Sequence, residues 1–317
     1  MSDISSPEIT ICVPTYNGAR FLRGGLQNIV DQTYQNYVVV ISDNASTDDT
    51  AKIANEFVAK DRRFSYLRQP IFLEGVVHVC SLLDLAKTPF FIWHSDDDLW
   101  APNYLDTLLA LLKSNPNARL AVGDAIDEWM DGSHRKETKK YRQFGPGPLQ
   151  RMQALLYFPV PWVYGLYETK TIAALAKTIR ERHQLNRGWD LLVMFYYCAN
   201  NLIVGSSDTY FVWRCYIDQS LERQRAGKSI DATPKFSSPL SPIIEKLKKK
   251  IAKVDYLIEA RKRFFAIAYE WIPSLAGNRA EEVLWRAFLW HFVARRIYPA
   301  RKALKYKIMA VVASKTA

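Results

Sequence analysis

Along the first 130 residues the hydrophobic pattern switches repeatedly between strand-like runs and helical spacing. Residues 9–13 form an apolar run of strand length, after which Phe21, Leu22, Leu26, Ile29 and Val30 recur on one helical face. Residues 37–41 predict a second strand. Ser46-Thr47-Asp48-Asp49 then predicts an N-cap and an acidic first turn for a helix carrying Ile53, Ala54 and Phe57. Residues 64–67 read as a third strand, 76–86 as a third helix and 90–94 as a fourth strand. Pro102 opens a helix running to Asn115, and a fifth strand begins at 120–122. Strands alternating with helices of this length predict an α/β fold, Rossmann-like, with a mostly parallel central sheet flanked by helices. In such sheets ligands bind beyond the carboxyl ends of the strands.

The pattern is less regular further on. Residues 131–148, with five basic residues, three glycines and two prolines, read as a loop or lid. A helix over 149–158, an apolar segment at 162–167, a helix over 170–182 and the segment 186–201 follow. Strands at 202–204 and 210–216 then complete the sheet. Pro234, Pro239 and Pro242, set among serines, mark a linker. The expected organisation is a catalytic domain over residues 1–233 and a helical extension over 234–317.

Charge sharpens this division. Of the 317 residues, 49% are hydrophobic and 24% charged, as in a folded soluble protein, and the formal net charge is +11. From Pro242 onward there are 17 Lys and Arg against 6 Asp and Glu, leaving 26 of each before it, so the whole excess lies in the extension. There, Lys246-Leu247-Lys248-Lys249-Lys250, Arg261-Lys262-Arg263, Arg295-Arg296 and Arg301-Lys302 are interleaved with Phe264, Phe265, Trp271, Trp285, Trp290 and other aromatics. Such a basic, aromatic-rich helical segment suits an anionic membrane surface. The alternative is that its aromatics pack on the catalytic domain and its basic residues form a solvated face. The longest apolar candidate, 283–297, is interrupted by Arg286, His291, Arg295 and Arg296, and a membrane span is not expected. The first residues lack the pattern of a signal peptide. Cys12, Cys80, Cys198 and Cys215 form no C-x-x-C and no Cys/His cluster, and read as small buried hydrophobes of a reducing compartment. The expected location is cytoplasmic, peripheral at the inner face of the membrane.

Candidate chemistry gathers at the predicted strand ends. After the fourth strand stands Ser95-Asp96-Asp97-Asp98, three adjacent carboxylates whose repulsion calls for a positive partner. A Mg²⁺ or Mn²⁺ ion shared with substrate phosphates would supply one; the alternative is an acidic loop capping the helix after Pro102, and the cluster's position beyond an apolar strand argues against it. Asp43 ends the second strand and, taken alone, reads as a turn-forming residue ahead of Ser46. Pro14-Thr15-Tyr16-Asn17-Gly18 ends the first strand and, alone, is a tight turn. Asp190, in Asn186-Arg187-Gly188-Trp189-Asp190, sits before an apolar helix, where the helix dipole by itself favours a carboxylate. His78, His94, His134, His183 and His291 have no mutual metal-ligand spacing, and His94 reads as a strand residue.

Together, Pro-Thr-Tyr-Asn after strand one, Asp-Asn-Ala-Ser-Thr-Asp after strand two and the Asp triplet after strand four resemble the inverting family 2 glycosyltransferases of the GT-A fold, over residues 8 to about 220. The resemblance implies that Pro14, Thr15, Tyr16 and Asp43 hold the nucleoside of a nucleotide-sugar donor, Asp43 accepting a hydrogen bond from the base. It further implies that Asp96 contacts the ribose, that Asp97 ligates the divalent metal (Mg²⁺ or Mn²⁺) bridging the diphosphate, and that Asp190 is the catalytic base. Trp213, Arg214 and Tyr216 lie where the family has Tyr-Arg-x-His. The chain departs from the family at Ser95, where Asp is common, at Asn44-Ala45, where Asp-Gly is usual, and at Tyr216 in place of His. The acceptor implied is a glycan or lipid-linked hydroxyl. A nucleotidyltransferase would carry a Gly-rich basic loop after strand one, which Pro-Thr-Tyr-Asn-Gly-Ala-Arg is not; a phosphohydrolase is the related alternative. A nucleic-acid-binding protein is disfavoured by the neutral first 241 residues, and no nucleic-acid partner is expected.

Overall fold

The computed structural model describes residues 6–130, 136–141, 160–182 and 189–215. The expected helix at 149–158, Tyr216, the proline-marked linker and the basic extension lie outside them, as do His134, His183 and His291. The elements are β1 (Ile9–Thr15), α1 (Leu22–Val30), β2 (Tyr37–Asp43), α2 (Thr50–Lys60), β3 (Phe64–Arg68), α3 (Gly75–Ser81), β4 (Phe90–Trp93), β5 (Leu99–Trp100), α4 (Tyr104–Ser114), β6 (Leu120–Trp129), β7 (Lys136–Lys139), β8 (Leu166–Glu168), α5 (Thr169–Arg182), α6 (Trp189–Ala199) and β9 (Ile203–Cys215). Among the described residues these strands form one sheet of order β3-β2-β1-β4-β8-β6-β9-β5, with β7 paired to β6. The first four strands are parallel, β8 runs against both β4 and β6, and β9 is parallel to β6.

Both faces of the parallel half are covered, which is why its strands read as continuous apolar runs rather than alternating ones. On one face Ile9, Ile11 and Val13 of β1 meet Leu22, Leu26 and Ile29 of α1 and Leu105 and Leu108 of α4. On the other, Cys12 joins Phe91 and Trp93 of β4, Ile172 and Leu175 of α5 and Leu192 and Phe195 of α6. Gly165 is dictated by the approach of β8 to β6: a Cβ there would lie 2.4 Å from the Ala121 carbonyl oxygen. Cys12, Cys80 and Cys198 are buried thiols, as the sequence implied, and burial pushes the Cys12 thiol up to about 12. No helix among the described residues is long and apolar enough to cross a membrane.

Several elements differ from the sequence reading. The third helix ends at Ser81 and tightens into a 3-10 turn over Leu82–Leu85, close to where the Trp93 indole N–H reaches back to the Val79 carbonyl at 3.1 Å. The polar stretch expected as a loop contains β7, whose Lys139 pairs with the buried Asp127 of β6. The two late strands are one. The register of β6 with β9 jumps from Val122↔Gly205 to Asp124↔Tyr210, and the polar Ser206–Asp208 run is absorbed as a bulge. Within it the Ser207 hydroxyl donates to Asp124 Oδ1 at 2.8 Å, alongside the Tyr141 N–H at 2.7 Å, so this buried carboxylate is held from both sides. Finally, β5 pairs antiparallel with β9 and so folds Asp96–Asp98 into a tight connection between β4 and β5.

Candidate active site

Parallel strands bring their carboxyl ends to one edge, and the register pairs Thr15 at the end of β1 with Asp43 at the end of β2. The loop after β1 is held by its neighbours. Asn17 adopts φ +48°, a left-handed conformation that Asn tolerates better than most residues. Its N–H donates to Ser46 Oγ at 2.8 Å, and its Oδ1 accepts the Thr47 N–H at 2.8 Å. Gly18 N–H donates to Thr50 Oγ1 at 2.9 Å. A Cβ on Gly18 would lie 2.2 Å from both Asp96 Oδ2 and Thr15 Oγ1, so only glycine allows the loop to close on these two side chains. They are bonded to each other, Thr15 Oγ1 donating to Asp96 Oδ2 at 2.7 Å. Thr15 and Asp96 are buried, while Pro14 and Tyr16 are half-buried at the rim.

Asp43 has no exposed surface, and a buried carboxylate persists only when its oxygens are satisfied. Oδ1 accepts the Ser46 N–H at 2.7 Å, the turn that the local sequence suggests. Oδ2 accepts the Tyr66 hydroxyl at 2.6 Å and an Arg68 guanidinium N–H at 3.1 Å. Tyr66 and Arg68 lie on β3, and no sequence signal marked them, because cross-strand pairing depends on a register unknown beforehand. Arg68 also donates to the Ser46 carbonyl at 2.7 Å, locking the turn from outside. Burial and the hydrogen bond to Asp43 both push the Tyr66 phenol up, keeping it a neutral donor.

Ser46 is not the N-cap of α2 that its position suggested. Its hydroxyl accepts from Asn17, and Asp48 Oδ1 accepts the N–H of Thr50, the first residue of α2, at 3.0 Å. Asn44 and Ala45 replace the usual Asp-Gly with visible consequences. Asn44 clamps the Leu73 backbone at both ends, donating to its carbonyl and accepting its N–H at 2.8 Å each. Ala45 holds φ +62°, where a Cβ is strained by about 1–2 kcal/mol and glycine is not. Glycine loses more backbone freedom on folding, which offsets part of this. Ala45→Gly is therefore expected to raise unfolding stability by up to about 1 kcal/mol in urea denaturation; a destabilised variant would place the strain elsewhere.

The three adjacent carboxylates are separated by giving each a different environment. Asp96 takes the Thr15 hydroxyl, and Asp97, half-buried, accepts a short hydrogen bond from Ser95. Asp98 is buried and accepts the Arg214 N–H at 2.9 Å. Burial, then the Asp97 charge, push the Asp98 carboxyl well above the ordinary range. Arg214 reaches from β9 to the Asp97 carbonyl at 3.5 Å and lies 3.8 Å from Glu128, bringing a cation to the cluster. No set of three or more His, Cys, Asp or Glu among the described residues forms an all-protein metal cage. One accessible carboxylate at the mouth of the site suits a Mg²⁺- or Mn²⁺-type ion, which takes one or two carboxylates and completes its shell with substrate phosphates and water.

His94 lies one residue past the end of β4 rather than within the strand as expected, and is fully buried in the core. Its ring packs edge-on against Trp100 at 4.4 Å, and burial lowers its pKa to about 4. Trp189 packs edge-on against Trp93, the last residue of β4, with ring centroids 5.7 Å apart. That contact sets the amino end of α6, and with it the half-buried Asp190 of its first turn, beside the strand end that leads into the acidic cluster. The strand ends thus collect Pro14, Thr15, Tyr16, Asp43, Asp96 and Asp97 on one edge, and Trp189 ties Asp190 to it. A groove of about 550 Å³ lined by Arg119, Glu168, Lys170 and Tyr196 lies at the opposite, amino edge of the strands and contains none of them.

Residues 10–165 match the family model described as glycosyl transferase family 2. Glycosyltransferase GlyA of Streptococcus pneumoniae serotype 4 is 40% identical over 118 residues, covering 37% of this chain and 16% of that protein. An uncharacterized glycosyltransferase of Rickettsia prowazekii is 29% identical over 120 residues, 38% of this chain and 36% of its own. The GalNAc(5)-diNAcBac-PP-undecaprenol beta-1,3-glucosyltransferase of Campylobacter jejuni is 26% identical over 132 residues, 41% and 42% of the two chains. The matched stretches span less than half the length of these relatives. Among solved structures, residues 1–349 of S. aureus TarS in complex with UDP superpose with a TM-score of 0.52 at 19% identity, covering 90% of this chain and 80% of that one. At that identity the likeness shows the fold, which is of the GT-A type.

Proposed function

Because residues 10–165 make this chain a member of glycosyl transferase family 2, we propose that it transfers a sugar from a nucleotide-sugar donor to an acceptor hydroxyl by a single displacement with inversion. The observation that carries the reading is the edge itself. A buried, fully satisfied Asp43, the Thr15–Asp96 bond closed by Gly18 and the half-buried Asp97 stand at three adjacent strand ends, where a sheet of this type binds ligands. In this reading Pro14, Thr15, Tyr16 and Asp43 hold the nucleoside, with Asp43 fixed by Tyr66 and Arg68, and Asp96 faces the ribose. Asp97 would hold a divalent cation, which supplies Lewis-acid stabilisation to the departing nucleoside diphosphate when bound. Asp190 accepts the proton of the acceptor hydroxyl as that oxygen bonds to the anomeric carbon and the bond to the diphosphate oxygen breaks on the opposite face. Arg214 offsets the negative charge of the acidic cluster. The acceptor class, a glycan or lipid-linked hydroxyl, follows the name of the Campylobacter relative and is part of the proposal.

Thermal denaturation of the full chain with nucleoside diphosphates and Mn²⁺ tests the donor and metal assignments together, since a ligand of the folded state raises the melting temperature by mass action. One or more nucleotides should stabilise wild type in a Mn²⁺-dependent way. Asp97→Asn should lose the Mn²⁺ dependence while melting normally without ligand, because it removes one of several repelling charges from an accessible position. Unchanged Mn²⁺-dependent stabilisation in that variant moves the metal elsewhere, and no stabilisation of wild type by any nucleotide defeats the reading.

A further inference from the structure

We propose that the segment between β3 and α3 is a preformed wall of the nucleoside pocket, and that Phe72 on it contacts the donor's base; this deepens the donor reading above and rests on it. Four large apolar side chains are exposed within one short stretch: Leu67 at 40%, Ile71 at 67%, Phe72 at 50% and Val77 at 41%. Scattered exposed apolar residues need no explanation, but a run of them beside a candidate ligand site does. The Phe72 ring meets Tyr16, the aromatic residue of the β1 loop, with centroids 4.8 Å apart and planes at 59°. Because β2 lies between β1 and β3, this contact spans the end of β2, where Asp43 stands. The two rings therefore form an aromatic corner beside the carboxylate assigned to the base, and half of the Phe72 surface is left uncovered.

The wall is fixed in place, and its anchors are consecutive residues of the same strand end. The Ser42 hydroxyl and His78 Nε2 lie 2.8 Å apart, both buried, tying α3 to β2. The Asp43 carbonyl accepts the Gln69 N–H at 2.8 Å. Asn44 clamps Leu73 through two further bonds of 2.8 Å. A segment held at Gln69, Leu73 and His78 has little freedom to turn Phe72 inward, so its ring is presented outward at a constant distance from Asp43. A flat, uncharged base offers the complementary surface. A base that hydrogen-bonds at Asp43 has one edge committed to the strand end, and its remaining apolar surface then meets the Tyr16–Phe72 corner. Such a contact accounts for an aromatic residue at a half-exposed position that would otherwise favour a polar one.

Calorimetric titration separates this from the wider reading. The full chain, with Mn²⁺ present, is titrated with uridine, guanosine, adenosine, cytidine and thymidine diphosphates, and separately with inorganic diphosphate. Phe72→Ala should weaken the best nucleotide by about 5- to 150-fold, the span of base–aromatic stacking lost to alanine. It should leave inorganic diphosphate within about two-fold of wild type, because the phosphate end lies at Asp97. Phe72→Leu should recover part of the loss. If Phe72→Ala binds nucleotides as well as wild type, or loses inorganic diphosphate to the same degree, the base contact is overturned while the donor reading stands. If wild type binds none of the five nucleotides, the donor reading falls and this inference falls with it.

Discussion

Lowering the pH from 6.5 to 4 is expected to destabilise the folded domain by about 3 kcal/mol through His94 alone. The imidazole is fully buried and packed edge-on against Trp100, with Asn28 Oδ1 3.5 Å from Nε2, and burial, partly offset by a hydrogen bond with the Ser95 backbone, depresses its pKa from 6.5 to about 4. Below pH 6.5 the unfolded chain takes up a proton at this position that the folded chain refuses. The stability it contributes is therefore complete above 6.5 and lost as the pH falls to about 4. Other groups act in the same window. His78 is also depressed by burial and adds loss of the same sign. Asp98 is raised, so its penalty is absent at low pH and grows as the pH rises through its folded value, which opposes the histidines. The wild-type profile is thus a sum, and the difference from His94→Phe isolates the single group. Phe keeps the ring against Trp100 and does not titrate. Chemical denaturation at pH 7.5, 6, 5 and 4 should show wild type losing stability relative to the variant by about 3 kcal/mol overall, with most of the change between pH 6.5 and 4. Parallel profiles would mean that His94 is solvated or protonated in the folded protein.

How much of this was legible in the chain depended on whether the signal was local. The β1, β2 and β4 runs announced themselves because both faces of a parallel strand are buried, as Ile11 and Cys12 on opposite faces of β1 illustrate. Asp43 and Asp97 could then be placed at the carboxyl edge, since strand ends follow directly from strand runs. Contacts between distant segments were not legible. Nothing local says that Tyr66 and Arg68 satisfy Asp43, because that follows from the Asp43↔Arg68 register of β2 with β3. Nothing local separates Ser46 from Asp48 as the partner of the first N–H of α2; the choice was made by Asn17, which claims the Ser46 hydroxyl. The polar Ser206–Asp208 run broke the strand pattern of β9, yet the backbone absorbed it as a bulge satisfied by Asp124. The two-residue β5 is too short to show a period, and it exists because β9 offers it a ladder. Ala45 marks a departure whose meaning only geometry supplied, since its positive φ explains why glycine is usual there.

Asp190→Asn is expected to lower glycosyl transfer by about 10²–10⁴-fold while donor binding persists. The substitution keeps the shape of the side chain in the first turn of α6 and removes its ability to accept the acceptor's proton. Without a base, the hydroxyl attacks the anomeric carbon while still carrying its proton, and the factor quoted is what a positioned base contributes. Donor binding should be nearly unchanged, because the nucleoside and diphosphate contacts are assigned to Pro14, Thr15, Tyr16, Asp43, Asp96 and Asp97 on the β1, β2 and β4 ends, whereas Asp190 enters from a helix placed by the Trp93–Trp189 contact. A purely structural role for Asp190 predicts a different pattern. Near a helix amino terminus Asn caps almost as well as Asp, and losing one charge against the dipole costs about 0.3–1 kcal/mol, so stability would shift slightly and transfer hardly at all. Transfer rate and nucleotide affinity must therefore be measured on the same folded variant, with circular dichroism confirming that α6 is retained. Near-normal transfer would remove Asp190 from the chemistry. Lost nucleotide affinity would assign it to the donor, and the proton acceptor would then have to be sought among the other carboxylates of this edge.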